Sequence, residues 1–338
     1  MSKQHLHICH SLDFGGITTF VNSLVELNSQ SQVKHKILIW NKSSKGEHII
    51  DISDKEDKKE AFKSTIKEYD QLFVHSLKPF MISALNDRKK DVYLFQHGIT
   101  FGNGIRKITK RIFYFSVINI FGFKVICSSE FAKKKLLKNI TIFNKNVLKI
   151  IPFGVNLNHR TSVFSTSKTL NLGFAGRLVG QKRIHYIYEA LQQLDCNCDV
   201  NFKIAGTGPL LKDLEQKALG LNDRNITSIF EGHVKDMSGF FSEIDVLILP
   251  SLGESYGLVV LEAFSNNIPV IVFKDTGACV DFIIPNENGF IVNSISELSQ
   301  RISELSSIDL RSQLKMRIKD MDLSKYHISN TKLLLDEL

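Results

Sequence analysis

The segment Pro250-Ser-Leu-Gly-Glu-Ser-Tyr-Gly-Leu-Val-Val-Leu-Glu-Ala263 passes from an apolar run through a polar, glycine-containing stretch into a second apolar run, the pattern of strand end, loop and helix. Backbone N–H groups at a helix start, here near Tyr256 to Val259, lack intrahelical partners and suit an anion such as a phosphate oxygen, and the glycine allows close approach. A carboxylate in that loop, Glu254, would be repelled by a diphosphate unless it faces hydroxyl groups instead. Glu262 stands in the otherwise apolar stretch Leu258 to Phe264, where an unpaired charge is costly. A ligand carrying both phosphates and hydroxyls satisfies the two acids. Taken alone, they have a plainer explanation: an acid near a helix N-terminus and a structural ion pair.

Other segments offer residues suited to the same ligand. Arg177 and Lys182 flank the loop in Gly173-Phe-Ala-Gly-Arg-Leu-Val-Gly-Gln-Lys182. The spacing of Ile184, Ile187, Tyr188 and Leu191 predicts a helix over Lys182 to Leu194, and cations in a first helical turn oppose the dipole, so Lys182 and Arg183 call for an anion. Two solvated surface cations are the alternative. Ala205-Gly-Thr-Gly-Pro209 is a strand end with a tight turn at Gly206 and Gly208, a form shared by most strand-to-helix units. Near the start, Asp13-Phe-Gly-Gly-Ile17 follows the first strand and opens a helix, so Gly15 and Gly16 make a second anion-suited turn or a purely structural one. The full G-x-G-x-x-G fingerprint is missing, which argues against a dinucleotide. His97 and His75 each close a strand, a place where a single histidine is usually structural.

In order along the chain, Gly173 to Lys182, Ile204-Ala-Gly-Thr-Gly-Pro-Leu210, Phe230-Glu-Gly-His-Val234, Val246-Leu-Ile-Leu-Pro-Ser251 and the E-x7-E pair of Glu254 and Glu262 resemble the successive motifs of retaining glycosyltransferases of family 4, the group 1 glycosyl transferases. The likeness is strong over 148–295 and looser before it. It implies an α/β fold of the GT-B type, two Rossmann-like doubly wound parallel-sheet domains facing a central cleft. It also implies roles: Arg177 and Lys182 bind the donor diphosphate, and Gly15-Gly16 approaches that phosphate from the other domain. Glu254 orients the sugar, Glu262 holds the ribose, and His97 lies near the reacting carbon. Gly206, Gly208, His233 and Val234 would line the nucleotide, and Ser255, Tyr256, Gly257 and Leu258 would form the phosphate-facing turn. The family retains configuration without a protein nucleophile, the leaving phosphate helping to receive the acceptor proton. Where the family usually has glycine after the lysine, this chain has Arg183. No metal or cofactor beyond the nucleotide sugar is called for, since GT-B enzymes replace the ion with cations and helix dipoles. The one D-x-D, Asp320-Met-Asp322, reads as a helix end.

These residues must be positioned by alternating strands and helices. Leu6–Cys9, Lys36–Trp40, Gln71–His75, Val92–Gln96, Lys124–Ser128 and Leu148–Pro152 read as strands in the first half, and Leu170–Ala175, Val200–Ala205, Ser228–Glu231, Val246–Leu249 and Val270–Phe273 in the second. The expected division is an acceptor-binding domain over 1–156, completed by a C-terminal helix over 324–338, a linker over 157–168, and a nucleotide-sugar-binding domain over 169–323.

The net charge of +8 is uneven: 26 Lys/Arg against 13 Asp/Glu fall in residues 1–160. Residues 100–149 hold 11 basic residues and one acid, Glu130, interleaved with aromatics. Two explanations stand level. One is an anionic membrane surface met by Arg106, Lys107, Lys110 and Arg111. The other is a core face, Ala132, Leu136 and Ile140, opposite solvated Lys133, Lys134, Lys135 and Lys138. Single-stranded nucleic acid ranks third and is not expected as a partner. Five scattered cysteines, no run of 18 apolar residues and no export-signal pattern suit a cytoplasmic protein, free or peripheral on the inner face of the membrane. The expected activity is transfer of a hexose from a nucleotide sugar to a glycan or lipid-linked glycan in bacterial polysaccharide or lipopolysaccharide biosynthesis. The alternative is a degenerate module that binds the nucleotide sugar without transferring it.

Overall fold

The computed structural model describes residues 3–12, 15–30, 32–41, 45–87, 91–97, 104–157, 167–196, 198–221 and 225–338, except the side chains of Gln30 and Arg106. Most of the expected linker (158–166), the start of the basic segment (100–103), Asp13, Gly98 and the Arg106 side chain lie outside the described residues. The chain divides into two compact units, Met1–Val155 with Tyr326–Leu338, and Asn156–Lys325.

The first unit is built on seven parallel strands: β1 (Gln4–Cys9), β2 (Lys34–Ile39), β3 (Ile49–Asp51), β4 (Gln71–Val74), β5 (Val92–Gln96), β6 (Lys124–Cys127) and β7 (Leu148–Ile150), in the order β3-β2-β1-β4-β5-β6-β7. Parallel neighbours need crossovers, supplied here by α1 (Gly16–Glu26), α2 (Lys58–Thr65), α3 (Pro79–Asn86), α4 (Gly104–Phe115) and α5 (Glu130–Asn139). Helices over the sheet explain why the strands are apolar runs; Leu72, Val92 and Leu94 pack with Phe62 and Phe123 in one core. The order reverses between β1 and β4, and ligands of doubly wound sheets bind beyond the carboxyl ends of strands at such a reversal. Gly15 follows β1, His75 follows β4 and His97 follows β5.

The second unit repeats the plan with β8 (Leu170–Ala175), β9 (Val200–Ala205), β10 (Ile226–Gly232), β11 (Val246–Leu249), β12 (Val270–Phe273) and β13 (Gly289–Val292), ordered β10-β9-β8-β11-β12-β13 and all parallel. Its helices are α6 (His185–Gln192), α7 (Leu211–Leu219), α8 (Met237–Ser242), α9 (Leu258–Ser265), α10 (Ile295–Glu304) and α11 (Ile308–Lys319). The reversal falls between β8 and β11. Asp245, just before β11, accepts from the Asn171 backbone N–H (3.0 Å) and pairs with buried Lys315 (2.9 Å), so the charge is desolvated only with partners.

The chain then returns to the first unit as α12 (Ile328–Asp336), preceded by a 3-10 turn at Ser324–Tyr326. The Thr331 hydroxyl accepts from the Gly154 N–H (2.7 Å) and donates to the Pro152 carbonyl (2.8 Å). Any side chain at 154 would meet the Ile328 backbone, whose Cα lies 2.5 Å from an ideal Cβ.

Helix α6 begins three residues later than expected. Gly180–Lys182 is a 3-10 turn and Arg183 is left-handed, φ 46° and ψ 33°, which ends that turn before the α-helix starts. Lys182 therefore does not sit in the first turn of α6, and the dipole argument for an anion beside it fails. In α5 the plainer explanation of the lysines holds, with Ala132 and Leu136 buried and Lys134 and Lys138 exposed. Helix α4 differs. Ile105, Ile108 and Ile112, spaced for one face, are 79%, 57% and 61% exposed.

Candidate functional site

At the β8/β11 reversal, two loops are stitched together. The Leu252 N–H donates to the Gln181 carbonyl (2.8 Å), and the Gln181 side-chain amide donates to the Leu252 carbonyl (3.1 Å). Arg183 binds the same loop through Nε to the Pro250 carbonyl (2.7 Å) and Nη2 to the Ser251 carbonyl (3.1 Å), and it forks onto Asp275 at 2.9 and 2.5 Å. Its guanidinium lies 5.0 Å from the Tyr186 ring centroid and 5.3 Å from that of Phe273. Arg183 thus occupies a left-handed position that suits glycine and its side chain is held there by five partners. It is a structural tie and not a cation awaiting an anion, which corrects the expectation from sequence. The same fork holds the Asp275 carboxyl below its ordinary range.

That stitching brings Lys182 and Glu254 into direct contact as an ion pair, Nζ to Oε1. The Glu254 backbone is clamped from below: its N–H donates to the Thr276 carbonyl (2.5 Å) and its carbonyl accepts from the Ala278 N–H (3.0 Å). Gly277 permits this approach, since a Cβ there would stand 2.3 Å from the Glu254 carbonyl oxygen. Three residues on, Gly257 turns left-handed (φ 89°) and opens α9, which has neither a capping side chain nor an acid in its first turn. Its leading N–H groups and dipole are therefore available to an anion. Ser255 and Tyr256 are each only 7% exposed, and Tyr256 packs edge-on against Phe282, so what this turn offers a ligand is backbone, with Leu258 half-buried.

Arg177 is exposed, and no described residue pairs with its guanidinium. Glu262 is half-buried on α9; its backbone carbonyl accepts from the Ser265 and Asn266 side chains, no described residue bonds to its carboxyl, and burial pushes that carboxyl up to about 7. Gly206 and Gly208 have a packing reason to be glycine: ideal Cβ atoms would lie 1.9 Å from the Gly176 carbonyl oxygen and 2.5 Å from that of Leu178. They let the turn after β9 close on the turn after β8. His233 is exposed and Val234 half-buried just past β10.

In the first unit, Gly15 (φ 120°) precedes α1 and both Gly15 and Gly16 are exposed, a helix start without a capping side chain. His97 is stacked on Phe95 (centroids 5.4 Å) and His75 (4.9 Å), and burial lowers its pKa to about 3, so it is neutral. His75, ranked below His97 from sequence, is its direct partner: Nδ1 of His75 lies 2.6 Å from Nε2 of His97. Sequence reasoning missed His5, His7 and His35 altogether. The available signal was the alternation of His5 and His7 along β1, which places both on one face of the sheet.

Residues 169–307 match the family model described as glycosyl transferases group 1. An uncharacterized glycosyltransferase of Methanocaldococcus jannaschii is 26% identical over 204 residues, 60% of this chain and 54% of that protein. The Staphylococcus aureus capsular polysaccharide biosynthesis glycosyltransferase CapM is 24% identical over 54% of this chain and 51% of its own length. The chain thus spans about half the length of these curated relatives. A longer match is the Escherichia coli UDP-Gal:alpha-D-GlcNAc-diphosphoundecaprenol alpha-1,3-galactosyltransferase, 28% identical over 75% of this chain and 67% of that one. Among solved structures, Anabaena HepE in complex with UDP and glucose superposes with a TM-score of 0.77 at 16% identity, covering 99% of this chain and 98% of that one. WaaG, a glycosyltransferase involved in lipopolysaccharide biosynthesis, gives 0.74 at 14% identity, covering 97% and 99%. At such identities the superpositions speak for the fold. In fold the chain is GT-B, and residues 169–307 of its second unit match the group 1 glycosyltransferase family.

Proposed function

We propose that the chain transfers a hexose, with retention of anomeric configuration, from a nucleotide-sugar donor to a glycan or lipid-linked glycan in the assembly of bacterial polysaccharide or lipopolysaccharide. The observation that carries this is the Lys182–Glu254 pair beside the uncapped start of α9. Alone, the two charges neutralise one another; with a donor present each has a separate task. Lys182, with exposed Arg177 and the α9 N–H groups, balances the diphosphate as it leaves, while Glu254 turns to the sugar hydroxyls. Glu262 holds the ribose, Gly15-Gly16 contributes a second set of N–H groups to the phosphates, and His97 serves the reacting face of the sugar. These cations and N–H groups stand where a metal would otherwise be needed, so a chelator leaves turnover unchanged. HepE was solved with UDP and glucose, and the Escherichia coli relative is named for transfer from UDP-Gal onto a diphosphoundecaprenol-linked sugar, which supports a donor and an acceptor of these classes.

Thermal shift against UDP-, GDP- and ADP-sugars identifies the donor, since a ligand bound only by the folded state stabilises it. Release of free nucleotide from that donor then tests catalysis. Lys182→Ala and Glu254→Ala should each remain folded and lose most turnover; near-wild-type rates in either would remove the basis of the assignment. Stabilisation by a donor that is never cleaved, with or without acceptors, would identify a binding module instead.

The exposed Ile105, Ile108 and Ile112 stripe on α4, with Lys107, Lys110 and Arg111 on the same helix, supports docking on an anionic bilayer at the inner face of the cytoplasmic membrane. Cosedimentation with anionic but not neutral vesicles, lost in Ile108→Ser/Ile112→Ser, is the expected result. Equal recovery with both lipids would refute it.

A further inference from the structure

Four imidazoles and one carboxylate form a continuous hydrogen-bonded line across the first unit. It follows adjacent strands β2, β1, β4 and β5. Asp336 Oδ1 on α12 lies 2.8 Å from His35 Nε2; His35 Nδ1 lies 2.8 Å from His7 Nε2; His7 Nδ1 lies 2.9 Å from His75 Nε2; His75 Nδ1 lies 2.6 Å from His97 Nε2. His7 and His35 are fully buried. Among the described residues, nothing else bonds to His97 Nδ1.

We propose that Asp336 acts through this line as a remote positioning residue that makes His97 a hydrogen-bond acceptor at Nδ1. A carboxylate only accepts, so His35 must donate to it from Nε2. A neutral imidazole carries one proton, so His35 Nδ1 is bare and must accept from His7 Nε2–H. The same logic passes the proton arrangement to His75 and then to His97, which donates inward from Nε2 and presents a bare Nδ1. Burial lowers the pKa of every ring in the line, which keeps each neutral, while Asp336 is held below its ordinary range by its hydrogen bond and charge interactions with His35 and Lys332 despite burial. The groups facing this end are Lys332, 3.2 Å from Asp336 Oδ2, and His5, whose Nδ1 lies 3.8 Å from Asp336 Oδ1, with Lys3 and Lys34 further off. His5, His35 and Asp336 are close enough together to suggest a metal site, but the Lys332 ammonium already balances the carboxylate there. A bare Nδ1 on His97 accepts a hydrogen from a sugar hydroxyl; the reversed arrangement would instead donate to that hydroxyl oxygen and could not take up its hydrogen.

The proton assignment is independent of the proposed function, whereas its effect on transfer rests on that proposal. Nitrogen-15 correlation spectra of the full chain at neutral pH read the tautomers directly. We expect all four rings to carry the proton on Nε2, and Asp336→Asn, whose amide can donate to His35 Nε2, to move the His97 proton to Nδ1 or mix the two forms. Asp336→Glu should restore the wild-type spectrum. Where donor turnover is measurable, Asp336→Asn should lower kcat by about tenfold or more with little change in KM for the donor. His7→Phe, which keeps a ring stacked near Phe73 but breaks the line, should also free the His97 tautomer if Asp336→Asn folds poorly. A wild-type His97 protonated on Nδ1, or a His97 spectrum unchanged in both Asp336→Asn and His7→Phe, would overturn the proposal. A changed tautomer without loss of turnover would leave the line intact and remove His97 from the reaction.

Discussion

Replacing Glu262 by glutamine should stabilise the protein above neutral pH and do nothing in acid. The carboxyl is carried by an apolar helix, none of the described residues donates to it, and burial raises its pKa from 4.5 to about 7. Between those values the folded state keeps a proton that the unfolded chain has released, so folding becomes less favourable as pH rises. The penalty is absent below pH 4.5 and complete above about 7. A shift of that size corresponds to about 3 kcal/mol at full burial, and partial solvent access to the half-buried side chain reduces it to about 1–2 kcal/mol. Glutamine has the same shape and no charge to desolvate. Thermal melts of both proteins across acid to mildly alkaline pH should therefore coincide in acid and separate by roughly 3–6 °C at the alkaline end, the variant melting higher. A constant gap at all pH values, or a variant that melts lower in alkali, would refute a strained carboxylate at this position.

The same carboxyl should make nucleotide binding pH-dependent: if ribose hydroxyls donate to ionised Glu262, stabilisation by UDP or the preferred nucleotide grows as pH passes about 7 in the wild type and stays flat in Glu262→Gln. Arg183→Gly relieves a left-handed backbone but removes the ties to Pro250, Ser251 and Asp275, so the net effect should be a loss of about 1–2 kcal/mol in thermal or denaturant melts. Gly206→Ala forces a Cβ to within 1.9 Å of the Gly176 carbonyl oxygen, and soluble yield and melting temperature should both fall sharply, whereas Gly180→Ala, with nothing within 4 Å, should be tolerated.

Strand and helix order was legible up to β12 because the central parallel strands are buried on both faces and read as short apolar runs, as Val246–Leu249 and Val270–Phe273 do. Glu254 was legible as a loop residue after a strand and Lys182 as the residue where a loop gives way to a helix, but their contact was not. It depends on β8 and β11 being neighbours although some 70 residues separate them, and only the reversal in strand order makes them so. The start of α6 was misjudged because Ile184 and Ile187 keep helical spacing through a 3-10 turn and a left-handed residue, which periodicity does not register. The histidine line was invisible for the same reason as the ion pair. It crosses four strands in sheet order and ends on a residue 301 positions from His35, so no local window contains it.

The return of α12 also has a consequence for biosynthesis. The second unit is inserted between Val155 and Tyr326, so its residues are made in one uninterrupted stretch and can fold as soon as they emerge. The first unit cannot. At ordinary translation rates, roughly ten to thirty seconds pass between the emergence of its last strand and of the helix that supplies Thr331, Lys332 and Asp336. During that interval Gly154, the Val33 carbonyl and His35 lack their α12 partners on the nascent chain. The older half of the protein is thus finished last, and its dependence on chaperones should be greater than that of the half made after it.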